Sequence, residues 1–280
     1  MSRQKPRNFK PSPGARRGKQ RPPRGKADSD GVLLYGLHAV EAALANPDRP
    51  VLRLLATENA AQRLAPALAA RKVTPTPASP RDLDRLLGPD TVHQGVALET
   101  EALPPASLDN LSPNGVVLVL DQVTDPQNVG AVLRSAAAFG ASGLILTERH
   151  SPPLSGALAK AASGALDTVP VVLVKNLAQT LAELGERGYL RVGLGEEGSD
   201  ALETMTWTRP LALVLGAEGR GLRQLTREHC DRLCRITTQG ALASLNVSNA
   251  AAVALHWASL KANYFGYPPP LAPRPWPGPR

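Results

Sequence analysis

The chain has 280 residues, 42% hydrophobic and 20% charged, with a formal net charge of +8. That length amounts to about two domains and buries a core without disulfide or metal staples; two cysteines exclude a disulfide scaffold and point to a reducing compartment, the cytoplasm. No apolar run reaches the roughly 20 residues of a membrane helix, so no membrane partner is expected.

The charge is uneven. Residues 1–26 hold ten Lys or Arg and no acid, whereas residues 27–280 hold 22 basic and 24 acidic side chains, a net of −2. Five prolines and three glycines precede residue 30. Such a stretch buries too little surface to offset the entropy of ordering, so residues 1–30 read as a disordered basic arm. An arm of this kind attracts polyanions by counterion release, or serves only as a solubilising extension. It lacks the apolar core of a secretory signal, and its prolines and glycines oppose the amphipathic helix of a mitochondrial transit peptide.

Order is expected from Gly31. Val32–Leu34 is a short apolar segment, Leu37–Ala45 a helix and Val51–Ala56 a strand. Asn59–Lys72 carries apolar residues at helical spacing and reads as one helix. Pro75, Pro77 and Pro80 interrupt the chain before a short helix at Arg81–Leu87, and Val96–Glu99 closes an α/β unit over residues 31–100. Residues 101–114, rich in Pro, Ser and Asn, have a linker's composition.

A second α/β unit spans residues 115–265. Apolar runs at Gly115–Leu120, Leu144–Thr147, Val169–Val174, Leu190–Leu194 and Leu211–Leu215 suit strands buried on both faces. Helical segments alternate with them at Gln127–Phe139, Leu154–Ala162, Leu177–Arg187 and Leu222–Asp231, and an Ala-rich helix at about Leu245–Ala262 closes the unit. This alternation predicts a mostly parallel sheet with helices on both faces. Seven prolines in residues 266–280 predict an extended tail.

Ligands of open parallel sheets bind beyond the strands' carboxyl ends, and three polar clusters fall there. In the first, residues 121–134 (DQVTDPQNVGAVLR), Asp125 suits an N-cap and Pro126 the first helical position. Asn128 then lies at the start of a helix, whose N–H groups favour anions, with Arg134 six residues on, about 9 Å along the axis; capping plus a surface arginine is the plainer alternative. The second, residues 215–221 (LGAEGRG), follows an apolar strand; it is neither the G-x-G-x-x-G fingerprint nor a P-loop. Its glycines suit close approach of backbone to a ligand, or a tight turn with a solvated Glu218. The third, residues 243–249 (ASLNVSN), opens the Ala-rich helix. Ser244 is its candidate N-cap, and Asn246, Ser248 and Asn249 need hydrogen bonds there or solvent. Cys230 and Cys234, four apart on an expected helix, are too few for a structural zinc site and suit small buried side chains. His38 and His93 stand alone and read as structural.

Together and in this order, the patterns D-x-V-x-D-P-x-N-x-G-x-x-x-R, L-V-L-G-A-E-G-x-G and S-L-N-V-S resemble the three signature motifs of the SpoU-type RNA ribose 2′-O-methyltransferases. Tyr35-Gly-Leu-His-Ala-Val-Glu-Ala42 and His93-Gln-Gly95 are similar to the opening and closing phrases of that family's RNA-binding domain. The resemblance spans about residues 31–262 and is nearest to the branch that methylates guanosine in 23S ribosomal RNA, including Leu225–Asp231.

The resemblance implies an α/β fold: a trefoil-knotted parallel-sheet methyltransferase domain preceded by a small α/β RNA-binding domain. It implies an S-adenosylmethionine pocket made by Leu215–Gly221, Ile236–Gly240 and Ser244–Asn246. By position Leu215, Gly216, Gly221, Ile236 and Leu245 match cofactor contacts; Asn128, Arg134, Glu218 and Asn246, with Ser244 beside them, match the polar catalytic set. No metal is implied. Ribosomal RNA is the expected partner, and the family is dimeric, with the site at the subunit interface. The family often has proline after the isoleucine that ends the last strand; this chain has Thr237. Because a guanidinium holds its proton, Arg134 suits a phosphate clamp and stabiliser of the forming alkoxide better than a literal base. Rival expectations are a transfer-RNA or antibiotic-resistance ribose methylase and a non-catalytic RNA-binding or ribosome-assembly protein.

Overall fold

The computed structural model describes residues 31–207, 210–240 and 244–264. The expectations for the basic arm and the Pro-rich tail lie outside the described residues.

The first part of the chain builds a four-stranded sheet. β1 (Gly31–Tyr35), β2 (Val51–Ala56), β3 (Thr76–Pro77) and β4 (Val96–Glu101) lie in the order β1-β4-β2-β3. β4 is antiparallel to β1 and β2, and β3 runs parallel to β2 at the edge, where Pro77 costs no inner ladder bond. α1 (Leu37–Ala45) matches its expected bounds. The single helix expected over Asn59–Lys72 is two: α2 (Glu58–Arg63) and α3 (Ala65–Arg71). Pro66 is the cause, since it has no N–H for an interior helical bond and is tolerated only in a first turn. α4 (Pro80–Leu87) starts on a capping box in which Ser79 and Asp82 satisfy each other's backbone N–H.

The second part builds a seven-stranded sheet among the described residues. Its strands are β5 (Val116–Asp121), β6 (Gly143–Thr147), β7 (Val171–Val174), β8 (Leu190–Leu194), β9 (Asp200–Ala201), β10 (Leu211–Gly216) and β11 (Arg232–Arg235). Their order is β7-β6-β5-β10-β8-β11-β9, and every pairing is parallel. The helices are α5 (Pro126–Ala138), α6 (Gly156–Ala161), α7 (Leu177–Glu186), α8 (Gln224–Glu228) and α9 (Val247–Tyr264). β5 is buried along its whole length. Val116, Leu118 and Leu120 join a core with α5, α6 and α9, while Val117 and Val119 join another with Leu177, Leu181 and Leu184 of α7. Strict alternation between two dry faces explains the unbroken apolar run. Gly130 lets α5 cross α6 closely: a Cβ there would come within 2.6 Å of the Leu158 carbonyl oxygen.

Two boundaries are corrected. The helix expected over Leu222–Asp231 is only α8; the chain then enters β11, which carries Cys234, so the two cysteines share no helix. Cys234 is buried, and Sγ of Cys230 donates to the Thr226 carbonyl, so both are packing side chains. Ser244 does not cap the last helix. α9 starts at Val247, with Asn246 in the capping position.

The two sheets share one continuous core that includes Leu34 and Leu98 of the small sheet, Leu118 of the large sheet and Leu158 of α6. A buried ion pair crosses between them. Arg49, 1% exposed, bonds through Nε to Asp167, which also accepts from Asn46 Nδ2 at 3.1 Å. Lys160 of α6 donates to the Val92 carbonyl just before the His93-Gln-Gly95 phrase. Residues 101–114 are not a free tether: Ala106 bridges to Val172, Leu108–Asn110 forms a 3₁₀ turn, and Leu111 is buried.

Candidate active site

The strand order places the site. β5, β6 and β7 extend the sheet one way, and the chain then returns to lay β8 on the other side. β10 comes later and slots between β5 and β8. The carboxyl end of β10 is thus at the centre of the sheet, where strand order reverses, a favoured position for a ligand. The 215–221 cluster lies there.

Gly216 has no room for a side chain, since a Cβ would sit 2.1 Å from the carbonyl carbon of Gly221. The loop folds tightly on itself, with Gly219 and Gly221 at φ +74° and +62°. Arg223, just after the loop, anchors it to the strand next door: its N–H and Nε donate to the fully buried Asp121 at 3.0 and 2.7 Å.

Three side chains from distant segments meet beside this loop. Asn246 Nδ2 donates to Glu218 Oε1 at 2.6 Å and to Asn128 Oδ1 at 3.0 Å, and Asn128 Nδ2 donates to the same Glu218 oxygen at 2.9 Å. The orientation is determined from below. Asn246 Oδ1 accepts from the Ser248 N–H at 2.9 Å, a donor with no other role, so its amide nitrogen must face Glu218. Asp125 holds the start of α5 by accepting from the Gln127 N–H at 3.0 Å, as expected of an N-cap, and so sets the position of Asn128. The cluster is a set of fixed dipoles around one carboxylate.

A cavity of about 350 Å³ opens next to the three residues. Leu215, Gly216, Gly221, Ile236 and Leu245 all line it, as do Glu218 and Ser244. Arg134 is apart from this group: it is exposed on α5 and has no hydrogen bond or ion pair among the described residues. Thr237, also on the cavity wall, is doubly held. Its N–H and hydroxyl donate to the two carboxylate oxygens of Glu203 at 3.1 and 3.0 Å. Burial pushes the Glu203 carboxyl up, but hydrogen bonds from its own N–H and from Thr237, with the charge of Arg235, outweigh this and hold it below its ordinary value. Sequence reasoning missed Glu203, because no local pattern marks a carboxylate that acts 34 residues away. It also missed Arg49 and Lys160, whose partners are equally remote.

The cavity suits a ligand that is part apolar and part zwitterionic. Leu215, Ile236 and Leu245 supply flat apolar wall, the glycines expose backbone, and Glu196, Glu218 and Arg220 bring both signs of charge. The fold and site define a parallel α/β protein whose small-molecule cleft lies at the strand-order reversal, beside a preorganised Asn–Glu–Asn cluster. Residues 115–256 match the SpoU rRNA methylase family and residues 33–106 match the RNA 2′-O ribose methyltransferase substrate-binding family. The chain belongs to the SpoU rRNA methylase family. It is 42% identical to the 23S rRNA (guanosine-2′-O-)-methyltransferase of Ralstonia nicotianae, over 81% of this chain and 94% of that protein. It is 41% identical to the enzyme of the same name from Pectobacterium atrosepticum, over 80% and 95% of the two chains. The crystal structure of the SpoU methyltransferase AviRb from Streptomyces viridochromogenes, in complex with AdoMet, superposes with a TM-score of 0.71 at 26% identity, covering 84% of this chain and 91% of that one.

Proposed function

We propose that this protein transfers the methyl group of S-adenosylmethionine to the ribose 2′-hydroxyl of a guanosine in 23S ribosomal RNA. The observation that carries the reading is the Asn128–Glu218–Asn246 cluster beside a cavity lined by all five expected cofactor residues. Relatives named for this reaction, about 40% identical over most of both chains, support the substrate.

The cavity residues fit the cofactor. Leu215, Ile236 and Leu245 would hold its apolar part, the glycine loop would meet its polar edges through backbone, and Glu218 would bring negative charge to the same wall. When bound, S-adenosylmethionine supplies a methyl group already activated by a sulfonium. The chain must therefore align the ribose oxygen and stabilise the charge that develops on it; alignment alone is worth effective molarities of about 10⁵ M or more. Arg134 supplies the stabilising charge as a phosphate clamp, on the helix whose first turn Asn128 occupies. Asn128 and Asn246 orient the ribose, and Glu218 holds both amides. Ser244 lies beside them on the cavity wall.

Residues 31–100 form the RNA-selecting domain in this reading, 101–114 the linker and 115–265 the catalytic domain, with the arm and tail outside them. A trefoil knot is supported by the late insertion of β10 between β5 and β8 and by the return of α9 onto α5. A homodimer is supported by apolar side chains left exposed on α9, Val253 and Leu260, and just after α5, Phe139. The protein would act in the cytoplasm, where ribosomal RNA is made. The test is methyl transfer from labelled S-adenosylmethionine to unmodified 23S RNA and, separately, to bulk transfer RNA. Label in 23S RNA alone is expected; label in transfer RNA alone overturns the substrate while keeping the chemistry.

A further inference from the structure

A second cleft, of about 370 Å³, opens on the same edge of the large sheet, at the carboxyl ends of β5, β6 and β7. It is one strand from the cofactor cavity. Asp121 and Gly216 are register partners; Gln122, next after Asp121, lines this cleft, and Gly216 lines the other. Arg149, His150, Lys175 and Arg223 line it, and no carboxylate does among the described residues.

Arg149 and Lys175 differ from several other cations. Arg187, Arg191 and Arg227 of the same domain are each paired with a carboxylate. The side chains of Arg149, His150 and Lys175 are exposed and have no hydrogen bond or ion pair among the described residues. Arg223 is held rigid by the buried Asp121. Unmatched positive charge gathered in one concave place raises the local concentration of anions.

The backbone is also shaped around it. Gln122 and His150 both adopt left-handed conformations, φ +59° and +67°, which few residues other than glycine take up without cost. The second is kept in place by Thr147, whose hydroxyl donates to the Arg149 carbonyl at 2.6 Å. α7 adds the positive end of a ten-residue helix, with its cap Asn176 on the cleft wall.

We infer that this cleft is a subsite for backbone phosphates of the RNA on which the enzyme acts, held by Arg149 and Lys175 with Arg223 as a fixed wall. The inference rests on the RNA-methylating reading above and gives it a path: from the reacting ribose beside Asn128, the strand runs along the carboxyl edge of the sheet toward β6 and β7. Phosphate is the ligand chemistry because the lining offers two unmatched cations, Arg149 and Lys175, beside Arg223, and few apolar side chains. A phosphodiester chain brings that charge in series.

The test uses the full-length protein and a fluorescently labelled fragment of unmodified 23S RNA, bound across a series of salt concentrations. Arg149→Ala/Lys175→Ala is compared with wild type and with the charge-preserving Arg149→Lys. The double variant is expected to bind RNA about tenfold more weakly, with the slope of log K against log salt reduced by about 2. Its S-adenosylmethionine affinity and its kcat at saturating RNA should stay at wild-type values, and Arg149→Lys should keep most of the affinity. Unchanged RNA affinity and slope in the double variant would overturn the subsite. So would a fall in kcat or cofactor affinity with the slope intact, because that pattern marks a structural role. Wild type that binds the RNA but transfers no methyl group would overturn the parent reading, while the binding comparison still decides the subsite.

Discussion

The four-stranded sheet is mixed and thinly covered, whereas the seven-stranded sheet is all parallel and its central strands are dry on both faces. On one side the small sheet has a core of its own no larger than Leu55, Leu83 and Ala97 with their partly buried neighbours. On the other it borrows the core of its neighbour, and the contact is locked by the Arg49–Asp167 pair. The large sheet is a platform whose central strands hold loops in fixed places at one edge. The small sheet depends on that platform. A rigid edge suits chemistry that needs aligned groups, and a dependent module suits recognition.

The sharpest way to break this comparison is at the ion pair. Arg49→Met leaves the Asp167 carboxylate buried without its cation and should cost about 3–5 kcal/mol. Urea unfolding should then show the small sheet losing structure before the large one; a loss below about 1 kcal/mol would mean that the small sheet stands alone. Chemistry should respond next. Arg134→Lys is expected to lower kcat by about a hundredfold or more, with cofactor affinity unchanged in calorimetry. Near-wild-type turnover would remove the guanidinium from the account.

A smaller effect is expected at the cavity wall. Thr237→Val removes one of two bonds to Glu203 and should weaken S-adenosylmethionine binding about fivefold, or about 1 kcal/mol. Because the Glu203 carboxyl is held below its ordinary value, its contribution is complete above the usual carboxylate range, near pH 4.3, and lost as pH falls through the lower folded value. Wild type should therefore lose stability on acidification in that window by more than a Glu203→Gln variant does, as read by thermal melts. The smallest signal is at the thiols. Burial pushes Cys230 up to about 12 and Cys234 to about 11, so alkylation of the folded protein at pH 8 should be slow at both and should speed up on unfolding.

The large sheet was the more legible half. Its central strands are buried on both faces, and such runs as Gly115–Leu120 and Leu211–Leu215 announce themselves within one residue of their bounds. β11 was hidden because Arg232 and Arg235 interrupt a four-residue strand near the sheet's edge, so neither alternation nor a continuous run marks it. The Asn59–Lys72 break was visible as Pro66 but was outweighed by the Ala/Leu periodicity around it. In the site, Asn128, Glu218 and Asn246 were each legible as polar residues at strand ends or helix starts. Their mutual bonding was not, since it spans 90 and 118 residues of chain. The error at Ser244 is instructive: Asn246 both caps α9 and bridges to Glu218, so the residue that starts the helix also belongs to the cluster.

The central claim concerns where the methyl group lands, and alkaline hydrolysis tests it most directly. A 2′-O-methyl group blocks the hydroxyl through which alkali cleaves the adjoining phosphodiester. After reaction with labelled S-adenosylmethionine, 23S RNA is digested in alkali and the fragments are separated. The account predicts label confined to one alkali-resistant dinucleotide that begins with guanosine, and its loss with Arg134→Lys. Label released as an alkali-labile mononucleotide would place the methyl group on a base and contradict the reading of the Asn128–Glu218–Asn246 site as a ribose-directed one.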